Sequence, residues 1–117
     1  HSTETLLWAK KGKKAKHTFH YDVMKAQNSD KQMKCVWQFT PPTKTEKTFG
    51  KHPTQKPLAL LERCILAASN PNDLVFDPFM GSGTTGVAAL KHKRLFCGCE
   101  IETDYFELAK KRIGNND

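Results

Sequence analysis

Apolar and polar positions predict regular structure mainly in the second half of the chain. Two short apolar runs, Leu74–Phe76 and Leu95–Cys99, have the length and composition of buried strands. Apolar residues repeat at helical spacing in three further stretches, which begin after Pro57, at Thr84 and after Thr103. Thr103 itself is predicted to cap the last helix. A strand, a turn, a helix and a second, parallel strand together predict an α/β unit.

The first half of the chain has weaker patterning. Thr5–Trp8 is β-branched and aromatic at its ends, which predicts a strand. Because nothing precedes that strand to pair with it, we expect a chain cut within a larger domain. Residues 10–50 show little periodicity, Pro41 and Pro42 interrupt them, and Lys44–Gly50 is predicted to be a mobile linker.

The turn after the first predicted strand carries the candidate chemistry. Gly81, Gly83 and Gly86 lead into a helix, where bare backbone N–H groups can face a bound ligand. Glu100 ends the second strand, and an acid at that place can reach the ribose hydroxyls of a nucleoside. This stretch therefore predicts a nucleoside-containing ligand.

Several kinds of site compete for this turn. A phosphate-binding P-loop is excluded because Val87, not lysine, follows Gly86. A dinucleotide site fits the letters GSGTTG, with Glu100 near the expected spacing. Asp77, however, would face the negative charge of a pyrophosphate, whereas it suits a ligand that carries an ammonium group, such as S-adenosylmethionine. A structural turn without a ligand is also open, although three glycines cost stability unless they are used.

Three motifs extend the pattern: KHPTQKP at Lys51–Pro57, FDPFMGSGTTG at Phe76–Gly86 and CGCEIETDYFELAKKRI at Cys97–Ile113. With them, residues 51–113 resemble the cofactor half of bacterial site-specific DNA amino-methyltransferases, the N6-adenine/N4-cytosine group of restriction–modification systems. Their order is that of the subgroup whose cofactor motif follows the target-recognition region. The resemblance implies an incomplete Rossmann-like, S-adenosylmethionine-dependent methyltransferase fold, α/β with a mostly parallel sheet flanked by helices.

The resemblance also implies the residues that bind the cofactor. It places Asp77 near the methionine amino group, Glu100 at the ribose and Ile101 on the adenine. His52 could instead be a polar residue packed on the following helix, and Thr54 could cap that helix. The complete implied set is His52, Thr54, Gln55, Lys56, Asp77, Phe79, Gly81, Ser82, Gly83, Thr84, Glu100 and Ile101.

Positive charge is concentrated before these motifs. The chain has a formal net charge of +7, and residues 9–51 hold eleven lysines against three acids, whereas residues 52–117 are neutral overall. A basic excess in one segment favours a nucleic-acid partner, and the resemblance implies that this partner is double-stranded DNA. Trp37 and Phe39 are predicted either to meet bases or to anchor the segment to the core. The predicted phosphate contacts, for which a solvated loop is the alternative, are Lys10, Lys11, Lys13, Lys14 and Lys16.

The family's catalytic Asp/Ser-Pro-Pro-Tyr/Phe motif is missing from this sequence, since Thr40 precedes Pro41 and Pro42. We therefore expect residues 1–9 to end a catalytic half, residues 10–50 to contact DNA and residues 51–117 to bind S-adenosylmethionine. The rest of the catalytic half would come from the same longer chain or from a separate polypeptide. Adenine N6 is favoured over cytosine N4 from overall likeness. An NAD-binding oxidoreductase fragment and a non-catalytic DNA-binding subunit are the alternatives.

The four cysteines lack paired Cys-x-x-Cys spacing. They are predicted to be reduced, mostly buried thiols rather than zinc ligands or disulfides, as in a cytoplasmic bacterial protein. The sequence shows neither a membrane span nor a signal peptide. A missing half would leave strand edges and apolar surface exposed, so poor stability or self-association is expected, with homodimer formation left open.

Overall fold

The computed structural model describes residues 3–47, 49–50 and 55–115 of the chain. Over these residues it forms an α/β unit with a short parallel sheet. The helices and strands are α1 (Tyr21–Ala26), α2 (Leu58–Ala68), β1 (Leu74–Asp77), α3 (Thr84–Lys91), β2 (Leu95–Gly98) and α4 (Thr103–Gly114). A short 3-10 turn, Thr45–Lys47, precedes α2.

Strands β1 and β2 are parallel neighbours, as predicted, and α3 connects them. Their register runs from Leu74 opposite Leu95 to Asp77 opposite Gly98. Both strands therefore end at the same edge of the sheet, where parallel α/β folds place their ligands. That edge carries the turn into α3.

One face of the sheet is packed and the other is open. Val75 and Phe96 pack against a core formed by Ile65, Ala88 and Ala89 of the flanking helices. The alternate side chains of both strands point the other way. They are exposed, and they comprise Leu74, Phe76, Leu95 and Cys97. The expectation of uncovered apolar surface is confirmed over the residues described.

The region before α2 differs from its prediction. The expected linker contains the 3-10 turn, and the Glu46 carboxylate accepts the backbone N–H of Leu58 at 3.1 Å. Glu46 thus satisfies one of the N–H groups that the start of a helix leaves without an acceptor. Pro57 immediately precedes α2, and its ring suits the start of a helix. The linker prediction was wrong because the composition of this stretch does not show a carboxylate that caps a helix twelve residues away.

Two predictions for the ends of the chain were also wrong. Thr5–Trp8 forms no strand within the described residues, because a strand needs a hydrogen-bonded neighbour and none of the described residues supplies one. The predicted cap of the last helix is shifted, since α4 begins at Thr103 and Glu102 holds the cap position. Helix α1 was not predicted, because six residues are too few to show a helical period.

Helix α1 connects the first half of the chain to the second. Met24 is buried, and the backbone N–H of His20 donates to the carbonyl of Ala67 at the end of α2 at 2.8 Å. The His20 ring lies 2.8 Å from the side-chain oxygen of Asn70. The basic segment, residues 10–50, is therefore attached to the α/β unit at the carboxyl end of α2.

The cysteine prediction was wrong in its burial. Cys35, Cys97 and Cys99 are exposed, and only Cys64 is half-buried. Burial raises the pKa of the Cys64 thiol, with a smaller opposing effect from the nearby Arg63 charge. All four are free thiols within the described structure. None of the described helices is both long and apolar enough to cross a membrane.

Candidate functional site

A cavity of about 160 Å³ lies at the carboxyl end of β1, beside the glycine loop, residues 78–83. Seven of the twelve predicted cofactor-binding residues line it, which brings together two motifs that are distant in sequence. The remaining walls come from residues that were not predicted. The lining comprises Gln55, Lys56, Leu61, Asp77, Phe79, Met80, Gly81, Ser82, Thr84 and Thr85.

Asp77 is fixed at the point where β1 enters the loop. One carboxylate oxygen accepts the backbone N–H of Phe79 at 3.1 Å, and the other accepts the Thr85 hydroxyl at 2.7 Å. These two bonds join the start of the loop to the first turn of α3. A carboxylate has about four acceptor positions, so Asp77 retains the capacity to accept hydrogen bonds from a cation in the cavity.

Glu100 ties the end of β2 to the same loop. Its two oxygens accept the backbone N–H groups of Gly81 at 3.0 Å and of Glu102 at 2.8 Å. The carboxylate is half-buried and does not line the cavity itself. Beside these acids, Phe79 is 87% exposed and Ile101 is 94% exposed, so two apolar side chains stand uncovered.

Gly83 has a structural reason to be glycine. Its φ of 84° lies in the left-handed region, and a Cβ added there would lie 2.9 Å from the Cβ of Ala109 in α4. Its N–H donates to the Met80 carbonyl at 2.8 Å, which closes the loop on itself. Gly83 therefore packs against α4 and does not line the cavity, whereas Gly81 does.

Gln55 lines the cavity and carries a buried polar atom that is unsatisfied within the described residues. It is only 9% exposed, and its amide nitrogen donates to the Glu46 carbonyl at 3.0 Å. Its Oε1 is buried and has no hydrogen-bond partner among the described residues. A buried acceptor without a donor costs about 1–3 kcal/mol, so this atom fits a ligand that supplies a donor.

The other residues of the first motif are placed differently. Lys56 lines the cavity, but its ammonium forms an ion pair with Glu4 at 2.7 Å, which draws its charge toward the amino-terminal segment. His52 and Thr54 lie outside the described residues. Their predicted contacts with the methionine end remain predictions.

Arg112 is the functional candidate that sequence reasoning missed. Its neighbours Lys110 and Lys111 in the last turns of α4 are exposed, whereas Arg112 is 7% exposed. Its guanidinium donates to the glycine loop. The available signal was its spacing, because Arg112 lies three and four residues after the buried Ala109 and Leu108.

The predicted DNA-contacting lysines are all exposed on one loop, residues 10–16. Beside it lies a cleft of about 240 Å³, lined by Trp8, Ala9, Lys10, His17 and Tyr21. The Trp8 ring stacks edge-on against His17 with centroids 4.9 Å apart. We call this feature the aromatic cleft. It combines flat apolar rings with positive charge, as surfaces that bind nucleic acid do.

Trp37 and Phe39 hold the basic segment to α2. The Arg63 guanidinium lies 5.1 Å from the centre of the Trp37 ring and 4.7 Å from that of Phe39. Arg63 also donates to the side chain of Gln27 just after α1 at 2.8 Å. Of the two alternatives for these rings, the contacts favour anchoring.

Comparison with known proteins identifies relatives over nearly all of the chain. A family model described as DNA methylase matches residues 1–111. The chain is 54% identical over 114 residues to Type II methyltransferase M2.DpnII of Streptococcus pneumoniae, and 54% identical over 114 residues to Type II methyltransferase M2.LlaDCHI of Lactococcus lactis subsp. cremoris. Each match covers 97% of this chain and 42% of the relative.

A solved structure agrees with the fold. The crystal structure of the M1.HpyAVI–SAM complex superposes with a TM-score of 0.71 and is 44% identical in sequence. The match covers 86% of this chain and 46% of the other. The chain therefore spans less than half the length of the proteins that it resembles here.

Proposed function

The chain belongs to the DNA methylase family, and on that premise we propose that it is the S-adenosylmethionine-binding and DNA-contacting part of a site-specific DNA methyltransferase. The observation that carries the proposal is that one cavity is lined both by Asp77, whose carboxylate is fixed by two hydrogen bonds, and by Gln55, whose buried side-chain oxygen has no partner among the described residues. Two acceptors, one of them charged, suit an ammonium group and repel a phosphate.

The cavity also fits the amino-acid end of this cofactor in its other features. Ser82 and Thr84 contribute hydroxyls at the start of α3, where N–H groups without intrahelical acceptors favour a carboxylate. A volume of about 160 Å³ is smaller than the ~300 Å³ at which pockets for whole ligands begin. We therefore place the methionine end inside, and the adenosine outside, with Glu100 at the ribose and the exposed Phe79 and Ile101 beside the adenine.

Bound S-adenosylmethionine would supply an electrophilic methyl group on a sulfonium sulfur. The residues of this chain would hold and orient it: the acceptors Asp77 and Gln55 at its amino group, and the glycine loop at its carboxylate. Fixing a reactant in one geometry is a large part of what a methyltransferase contributes to the rate. The alignment of the acceptor amine belongs to the family's catalytic motif, which this sequence lacks.

The basic segment would contact double-stranded DNA. The exposed lysines Lys10, Lys11, Lys13, Lys14 and Lys16 would neutralise phosphates. The aromatic cleft would lie against sugar or base edges next to that contact. Attachment of the segment to α2 through Arg63 and α1 would keep the DNA at a constant position relative to the cofactor.

For the whole protein we propose methylation of an exocyclic amino group in DNA within a restriction–modification system. Adenine N6 is preferred over cytosine N4 because of the family resemblance. Residues 1–9 would end the catalytic half, residues 10–50 would contact the target and residues 51–117 would bind the cofactor. The remaining catalytic residues would come from the same longer chain or from a second polypeptide.

Titration calorimetry of the full chain with S-adenosylmethionine and with NAD tests the cofactor assignment. We expect saturable binding of S-adenosylmethionine and none of NAD, because the pyrophosphate would meet the Asp77 carboxylate. NAD binding alone would favour the oxidoreductase alternative. DNA binding without any S-adenosylmethionine binding would favour a non-catalytic DNA-binding subunit.

A further inference from the structure

A buried arginine of α4 that does not line the cavity holds the glycine loop. One guanidinium nitrogen of Arg112, Nη1, donates to the Ser82 carbonyl at 2.8 Å, to the Ser82 hydroxyl at 2.9 Å and to the Thr84 hydroxyl at 2.9 Å. Ser82 and Thr84 are buried as well. Helix α4 thus reaches, through a buried side chain, the loop that lines the cavity.

The charge of Arg112 has no close counter-ion among the described residues. No Asp or Glu in residues 3–47, 49–50 or 55–115 lies within ion-pair distance of its guanidinium. Burial lowers the pKa of Arg112, and the more distant Glu46 carboxylate offsets part of that effect. A buried charge without a partner is costly, and an anion bound in front of the loop would offset the cost.

The hydrogen bonds also orient the loop toward an anion. A hydroxyl that accepts a hydrogen bond from a guanidinium directs its own proton elsewhere. None of the described residues accepts a proton from Ser82 Oγ or Thr84 Oγ1, and both residues line the cavity. Their O–H groups are therefore available to donate into the cavity, beside the amino end of α3.

We propose that Arg112 is a positioning residue that makes this site selective for ligands carrying a carboxylate at the amino-acid end. The inference rests on the proposed function and deepens it. Arg112 acts through the Ser82 and Thr84 hydroxyls and through its charge, without touching the ligand. A helix that has no residue in the cavity thereby determines which end group the cavity accepts.

Arg94 is a matched control within the same chain. It is 6% exposed, and its guanidinium also makes three hydrogen bonds, to the Ser69 hydroxyl at 2.9 Å, the His92 carbonyl at 2.7 Å and the Ser69 carbonyl at 2.7 Å. It does not line the cavity. Replacing Arg94 therefore removes a comparable set of buried hydrogen bonds at a place that does not line the cavity.

The test compares two ligands that differ only in the carboxylate: S-adenosylmethionine and its decarboxylated form. Dissociation constants for both are measured by calorimetry with the full chain and with Arg112→Met, Arg112→Lys and Arg94→Met. We expect Arg112→Met to weaken the affinity for S-adenosylmethionine about tenfold or more, while the affinity for the decarboxylated ligand changes by less than about twofold. Arg112→Lys should restore part of the difference, and Arg94→Met should leave the ratio of the two constants unchanged.

Equal weakening of both ligands by Arg112→Met, or none, would overturn the inference and leave the proposed function standing. If the unchanged protein binds neither ligand, the proposed function itself fails, and the inference fails with it. Should Arg112→Met lose its helical circular dichroism, Ser82→Ala replaces it, because that change removes a hydroxyl that the arginine orients. Ser82→Ala must then show the same selective loss, and an equal effect on both ligands would count against Arg112.

Discussion

The two halves of the described chain differ in how tightly they are packed and in how much charge they expose. Residues 55–115 bury a core and hold one loop against it by hydrogen bonds with Asp77, Glu100 and Arg112. Residues 3–47 contain one short α-helix and one 3-10 turn, and all of their lysines except Lys47 are exposed. The fixed geometry of residues 55–115 suits the binding of a small ligand. The exposed charge of residues 3–47 suits the binding of a polyanion. Binding by the two should therefore respond to different changes.

Removing the exposed lysine charge should have the largest effect, and only on DNA. Replacing Lys10, Lys11, Lys13, Lys14 and Lys16 with glutamine should flatten the log–log dependence of DNA affinity on salt by about 4 and weaken binding about a thousandfold at low salt. Affinity for S-adenosylmethionine and the thermal midpoint should stay unchanged. Fluorescence anisotropy at several salt concentrations measures the slope, and an unchanged slope would show that these lysines are only solvated.

Alanine substitution at two glycines should distinguish a backbone position that is packed against a helix from one that has no neighbours. Gly83 and Gly12 both have a positive φ, of 84° and 72°, but a Cβ at Gly83 collides with Ala109 whereas a Cβ at Gly12 meets nothing within 4 Å. Gly83→Ala should therefore cost about 3 kcal/mol of unfolding free energy, and Gly12→Ala about 1 kcal/mol. Urea denaturation measures both, and equal costs would contradict the packing of α4 on the loop.

Removing the acid that follows β2 should weaken cofactor binding without affecting DNA binding. Glu100→Ala deletes the predicted ribose contact and two backbone hydrogen bonds, so S-adenosylmethionine affinity should fall about tenfold or more. Glu107→Ala, on an exposed face of α4, is the control and should have no effect on ligand affinity. Unaltered S-adenosylmethionine binding by Glu100→Ala would show the ribose assignment to be wrong.

The smallest effect concerns pH and the ion pair at the far end of α3. Burial alone would raise the pKa of Glu62, but its contacts with Lys91 at 2.7 Å and His92 at 3.0 Å outweigh burial and lower it. A lowered folded-state pKa adds stability above the ordinary glutamate pKa, and this stability is lost as the pH falls through the folded value.

Glu62→Gln should therefore cost about 0.2–1 kcal/mol at neutral pH, and the difference from the unchanged protein should vanish in acid. Thermal melts at neutral and acidic pH measure this difference. A difference that grows in acid would have the wrong sign for a stabilised carboxylate.

Local patterns predicted much of the α/β half, because its elements are long enough to show a period. Helices α2 and α3 and the parallel pairing of β1 with β2 followed from spacing and from the turn between them. Helix α1 is too short to show a period. The expected strand at Thr5–Trp8 depends on a neighbour that the described residues do not supply.

The site was predictable to the extent that its residues lie in one motif. The loop and its two acids are adjacent in sequence or one strand apart, so their convergence followed from the α/β topology. The roles of Glu46 and Arg112 could not be predicted from the topology, because each residue makes a tertiary contact with a residue twelve or more positions away in sequence. A basic residue that is buried on a helix and one that is solvated look alike in composition, and only packing separates them.

The most direct test is a crystal structure of this chain soaked with S-adenosylmethionine. We expect density for the methionine end inside the cavity, with its amino group at Asp77 and the Gln55 oxygen, its carboxylate at Ser82 and Thr84, and its ribose at Glu100. Density in the aromatic cleft instead, or a soak with NAD that places a pyrophosphate over the glycine loop, would contradict it.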